Sequence, residues 1–197
     1  MTTGRLVSAV TAGIALGGVV LQLVVSPGWD VFVYFTIQSN LLLGVTTLLL
    51  ALRPDRPRGL LFKVLRLNGV LCIAVTGIVY HAVLAGTDEL SGGAAVANFL
   101  LHTASPLIGV LGWAIFGPRG ATNVRIAAWS IVYPLLWLAF TLIRGAADGF
   151  YPYPFVDVSL HGYGQVLLNC LFVAVLFLAL AAGATALDRR LSETVEG

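Results

Sequence analysis

The sequence predicts an all-α polytopic membrane protein, a six-transmembrane-helix bundle with the N and C termini cytoplasmic. Three observations carry this reading. First, charged residues make up 10 % of the 197-residue chain against 58 % hydrophobic ones, and mean hydropathy is +0.94. A soluble domain carries about 25 % charge, so a soluble enzyme, a disordered segment and a nucleic-acid-binding domain are excluded. Second, the scarce charges leave six neutral stretches of 18 to 30 residues, and a helix of about 20 apolar residues crosses a bilayer. Third, Arg5, Arg53, Arg56, Arg58, Lys63, Arg66, Arg119, Arg125, Arg189 and Arg190 share one side with both termini, and Arg144 alone falls on the other. That asymmetry makes the basic side cytoplasmic. The net charge of +2 reflects this bias rather than a nucleic-acid partner.

Helices are expected near 6–25, 32–52, 63–85, 95–116, 124–144 and 162–187, in one integral membrane domain over 1–197. The first apolar run is longer than a signal-peptide core, and Val25-Ser26-Pro27-Gly28 is a poor cleavage site, so it is read as a helix. In the second, Leu41-Leu42-Leu43 and Leu48-Leu49-Leu50 do not alternate as barrel strands would. Cys72 in the third and Cys170 in the sixth are read as small buried side chains. Pro106 in the fourth and Pro134 in the fifth take the helical donor away from the carbonyls of His102 and Ser130, which predicts kinks. The tail from Asp188 is expected to fray. The loop from Ala146 to His161 has two Tyr-Pro steps that favour extended backbone, and its aromatics suit a headgroup-level lid.

Polar residues within the spans carry the functional information, because they are costly in hydrocarbon unless partnered. Thr36 and Asn40 on the second helix fall about 6 and 12 Å from the outer surface, and Asn98 and His102 on the fourth about 5 and 10 Å. Gln165 and Asn169 on the sixth lie at similar depth. Each pair is spaced i,i+4 and lines one helical face. His81 ends the third helix on the same side, and Gln22 and Arg144 lie near the outer ends of the first and fifth. Convergence at one depth predicts a polar pocket opening to the extracytoplasmic side. Interhelical hydrogen bonds account for amides and hydroxyls taken singly, whereas His102 is also suited to act as a general base.

Several segments resemble a known family. Phe35-Thr36-Ile37-Gln38-Ser39-Asn40, then Asn98-Phe99-Leu100-Leu101-His102-Thr103 with Pro106, then Tyr133, Trp137 and Tyr153-Pro154-Phe155 resemble, in order and spacing, the androgen-induced transmembrane hydrolases. The likeness is nearest to the short six-helix bacterial relatives of that family, which also includes the androgen-dependent regulator of tissue factor pathway inhibitor. The resemblance implies a membrane-embedded threonine hydrolase that cleaves a lipid ester, of the type of fatty acid esters of hydroxy fatty acids. It implies Thr36 as nucleophile and His102 as base, with no metal or organic cofactor. The chain departs from the family's pattern in having Gln38-Ser39-Asn40, more polar than the family's residues after the threonine.

Supporting roles follow as expectations: Asn98 or His81 to orient the imidazole, Asn40 or Gln38 to donate to an oxyanion, Arg144 to hold a substrate carboxylate and Asn169 to complete the outer pocket. The expected partners are the bilayer and a fatty acyl ester. Two other function classes remain compatible with the residues. One is a non-catalytic membrane protein that binds a lipid or a partner. The other is a small-molecule transporter, which is disfavoured because no Asp or Glu falls inside an expected span.

Overall fold

The computed structural model describes residues 2–53, 59–86 and 89–196. Six helices in it are long and apolar enough to cross a membrane: α1 (Thr3–Val25), α2 (Phe35–Leu52), α3 (Leu60–Leu84), α4 (Gly92–Phe116), α5 (Val124–Asp148) and α6 (Val158–Glu196). Among the described residues there is no strand. This fits a multi-pass membrane protein. Arg56 and Arg58, which enter the charge asymmetry, lie outside the described residues.

Helices α1 to α4 close on one another, and α5 and α6 pack against the free side of α3. Hydrocarbon offers helices no hydrophobic reason to associate, so close backbone approach and hydrogen bonds must hold such a bundle. Small residues permit that approach. A Cβ on Gly69 would lie 3.0 Å from the backbone N and Cα of Leu43, and one on Gly77 would lie 2.7 Å from Pro106 Cβ. Ala15, Leu43, Val70, Ile73 and Trp113 fill the centre of the four-helix group. A second cluster, with Leu71, Val75, Ile126 and Phe177, joins α3 to α5 and α6. The outward faces of α5 and α6 carry exposed Leu136, Phe140, Leu171 and Phe172, as lipid contact requires.

Both termini lie at one end of the bundle. Arg5 Nε donates to Ala51 O, Gly4 faces Phe116, and the Thr122 N–H donates to Asp188 Oδ2 at 2.7 Å. The opposite end, called the far end below, carries the 26–34, 85–91 and 149–157 connections.

The helices differ from the sequence expectation at residues 32–34, after Asp188 and at the start of α6, each for a local reason. Residues 32–34 are not the start of α2. Trp29–Val33 form a separate 3-10 turn, held by Gln38 Nε2 on Phe32 O and Trp137 Nε1 on Val33 O. α6 does not fray at Asp188: its carboxylate is 1 % exposed and bonded to Thr122, and the helix continues to Glu196. An acid therefore does lie within a span-length helix. Gly162, at φ 71°, breaks α6 after one turn, at the point where the expected span begins. At the two prolines where kinks were expected the helices are irregular: the Pro106 region of α4 forms a wide π-turn over Leu100–Ala104, and α5 is interrupted at Ile131, three residues before Pro134.

Candidate active site

The first helical turn of α2 leaves its amide groups without intrahelical acceptors. Tyr34, at the cap, supplies no side-chain bond, and Thr36 N–H instead donates to the hydroxyl of Tyr153 at 3.0 Å. Thr36 is thus presented at a helix N-terminus, 7 % exposed, with its Oγ1 directed away from α2.

What it meets comes from α4. Pro106 has no N–H to give to His102, and the helix widens ahead of it. Ser105 N–H bonds back to Leu100 O, five residues away. Such π-turns often mark functional positions. Here the wide turn carries His102 toward α2, where Nε2 lies 3.2 Å from Thr36 Oγ1. His102 Nδ1 lies 3.1 Å from Asn98 O.

The directions of these bonds follow from donor inventory. A carbonyl only accepts, so Nδ1 carries the proton. In the neutral ring Nε2 then accepts, and Thr36 Oγ1–H is its donor. Thr36 Oγ1 lies 3.1 Å from Tyr153 Oη, and with the threonine proton committed to His102, the phenol donates there. The chain runs Thr36 N–H to Tyr153 O, Tyr153 O–H to Thr36 Oγ1, Thr36 O–H to His102 Nε2, and His102 Nδ1–H to Asn98 O.

Neighbours brace this chain. Tyr80 opens a second π-turn, Tyr80–Leu84 in α3, and stacks on the imidazole with centroids 4.1 Å apart at 22°. Its hydroxyl accepts from Asn98 Nδ2 at 2.6 Å, so one asparagine holds the ring edge with its main chain and the stacking partner with its side chain. Asn40, fully buried, gives both amide hydrogens to carbonyls, Thr36 O at 2.8 Å and Leu101 O at 3.2 Å. It ties the helix of Thr36 to that of His102, and both its amide hydrogens are committed.

Of the sequence candidates, Thr36, His102, Asn98 and Asn40 come together. Gln38 turns away and links Phe32 O to the Tyr133 hydroxyl, which donates to its Oε1 at 2.6 Å. His81 is exposed, 3.1 Å from Thr103 Oγ1, and reaches the site only through an edge contact of its ring with Tyr80. Asn169 Nδ2 donates to Phe155 O and its Oδ1 accepts from Gln165, so this pair anchors the 149–157 connection rather than lining the centre. Arg144 is held between Asp30 and Asp148, both at 2.9 Å, and covers the Phe150 ring. Its guanidinium is engaged by the protein's own carboxylates.

Sequence reasoning missed the roles of Tyr153 and Tyr80. Tyr153 reaches inward because the 149–157 connection folds onto the far end. Val156 is 1 % exposed, and Tyr153 stacks on Phe155 and meets Tyr34 edge-on. Burial pushes its phenol up to about 12, with the Thr36 hydrogen bonds pulling the other way. The available signals were the pair of Tyr-Pro steps and the place of Tyr153-Pro154-Phe155 among the segments that carry the family resemblance.

The Thr36–His102 pair stands between two cavities. One, about 240 Å³, is apolar and runs among Val79, Leu135, Leu138, Phe155 and Val173. The other, about 640 Å³, lies at the far end and includes Gln22, Asp30, Tyr34 and Asn98. Thr36, Tyr80, His102 and Tyr153 line both. A third, about 230 Å³, sits at the termini end with Ser8, Thr46 and Thr47. Those three hydroxyls bond carbonyls of their own helices.

No family model, no curated protein and no solved structure matches this chain.

Proposed function

We propose that this protein is a membrane-embedded threonine hydrolase that cleaves a fatty acyl ester, with Thr36 as nucleophile and His102 as general base. One observation carries the reading: the Thr36 hydroxyl bonds a histidine nitrogen that the Asn98 carbonyl forces to be the acceptor. A threonine hydroxyl needs such a base to become nucleophilic. In the first step the Thr36 Oγ–acyl bond forms, its proton passes to His102 Nε2, and the ester C–O bond breaks as the imidazolium protonates the leaving alcohol. Water then repeats the sequence in reverse and frees the acid. The motifs that resemble the androgen-induced transmembrane hydrolases contain these same two residues.

The cavities support the substrate class. The apolar one suits a fatty chain, and the larger far-end one suits the more polar alcohol portion. The one-sided arginines support an orientation with termini cytoplasmic and the far-end cavity extracytoplasmic. A transporter would need a path between the far-end and termini-end cavities, and the layer separating them contains Ala15, Leu43 and Ile73, each 0 % exposed.

The test uses the purified protein in detergent with 4-methylumbelliferyl palmitate and a long-chain fluorophosphonate. Thr36→Ala and His102→Ala are expected to lose turnover by at least about 10³-fold, and Thr36→Ala to lose labelling. Equal turnover in all three proteins would sink the hydrolase reading and leave a lipid- or partner-binding role.

A further inference from the structure

We propose that Tyr153 is a third catalytic residue, whose phenol donates the hydrogen bond that stabilises the oxyanion formed when Thr36 attacks an ester. This rests on the hydrolase reading above and extends it to a residue on the connection between α5 and α6.

The other candidate donors are already committed. An acyl-transfer oxyanion needs a donor aimed at the atom next to the nucleophile. Both Asn40 amide hydrogens are given to main-chain carbonyls. Gln38 is bound to Phe32 and Tyr133. Arg144 is engaged by Asp30 and Asp148 and lines neither cavity that meets Thr36. Tyr153 Oη, by contrast, lies 3.1 Å from the nucleophilic oxygen and lines both cavities.

The resting hydrogen bonds also say how the donor is released. Before attack the phenol donates to a lone pair of Thr36 Oγ1. During attack Thr36 Oγ1 bonds to the acyl carbon, its proton moves to His102, and the carbonyl π pair moves onto the carbonyl oxygen. That oxygen and Oγ1 are then bonded to the same carbon. The phenol hydrogen has only to turn from one to the other while the phenol oxygen stays held by Thr36 N–H at 3.0 Å. That N–H, at the N-terminus of α2, polarises the phenol and strengthens it as a donor. When the tetrahedral centre collapses, the pair returns to the carbonyl, the alcohol leaves with the His102 proton, and no proton is lost from Tyr153. The raised phenol value of about 12 keeps that proton in place near neutrality.

Tyr153→Phe keeps the ring contacts and removes only the hydroxyl. With 4-methylumbelliferyl palmitate the expected result is a kcat about 10²–10³-fold lower, with KM within about twofold; the melting temperature falls modestly, because Thr36 N–H loses its acceptor. A long-chain trifluoromethyl ketone, which forms a reversible tetrahedral adduct with Thr36, should bind Tyr153→Phe at least about 10²-fold more weakly. A palmityl ether, which forms no adduct, should bind both proteins equally. Turnover within about threefold of the parent would overturn the proposal, as would parallel loss of ketone and ether binding. Thr36→Ala separates the two failures. If it is inactive while Tyr153→Phe is active, only this proposal falls. If it turns over like the parent, the hydrolase reading falls as well.

Discussion

His102 Nδ1 donates to the carbonyl of Asn98, four residues earlier in the same helix, at 3.1 Å. The helix that carries the imidazole therefore also chooses its tautomer, and Nε2 is left as an acceptor facing Thr36. A tautomer fixed from the main chain does not depend on the identity of the side chain at position 98.

The hydroxyl of Thr36 should accordingly be separable from its shape. Thr36→Ser keeps the oxygen and is expected to retain measurable turnover, within about 10² of the parent. Thr36→Val keeps the shape and is expected to fall at least about 10³-fold, as expected for loss of a nucleophile. Steady-state hydrolysis of a fluorogenic fatty ester distinguishes the two.

Pro106→Ala restores an N–H that can donate to His102 O and allows a regular α-turn to replace the wide one. Turnover should fall at least about tenfold as the imidazole moves off Thr36, while the melting temperature holds or rises. A variant as active as the parent would mean that the wide turn does not depend on the proline.

Much of the fold could be read from the chain because charge is so expensive in hydrocarbon. Asp30 and Glu89 fall between helices, and Arg5 and Arg125 fall in the first turn of theirs. Thr36 and His102 were legible from depth and from family resemblance, since each stands on a helix whose direction the basic residues predict. Tyr153 was not, because no periodicity governs the path of a connection that folds back onto the bundle. Arg144 was expected to hold a substrate carboxylate, but Asp30, 114 residues away in sequence, engages it. The continuation of α6 past Asp188 depends on Thr122, 66 residues distant. Contacts of that range leave no local signature.

Tyr153 makes a pH prediction with a definite sign. Its folded value is raised from 10.0 to about 12, first by burial, so the folded state holds the phenol proton more tightly than the unfolded chain does. That contribution to stability is complete below pH 10 and is lost as pH climbs toward about 12. Over that interval the melting temperature of the parent should fall more steeply than that of Tyr153→Phe.

Val173 lies in the wall of the apolar cavity and not among the residues bonded to Thr36. Val173→Trp should shorten the space open to an acyl chain. The expected result, across butyryl to palmitoyl esters, is a kcat/KM at least about tenfold lower for the longest chain and little changed for the shortest.

Gly69→Ala tests the backbone contact between α2 and α3. Its Cβ would lie 3.0 Å from main-chain atoms of Leu43, which have no rotamer to escape into. Overpacking of this kind costs about 1–3 kcal/mol, readable as a lowered unfolding midpoint in detergent.

The wide turn in α4 also explains a rhythm in the sequence. Ala97, Leu101, Ser105, Gly109 and Trp113 are all buried, and each stands four residues after the last. In an ideal α-helix a strict period of four drifts by about 40° per step, so four steps would carry the stripe about 160° around the axis. One extra residue taken up in the Leu100–Ala104 turn unwinds about 100° of that drift. The buried stripe then stays on one side of α4 along its whole length. The irregularity that aims His102 is thus also what lets a period-four helix keep a single inward face.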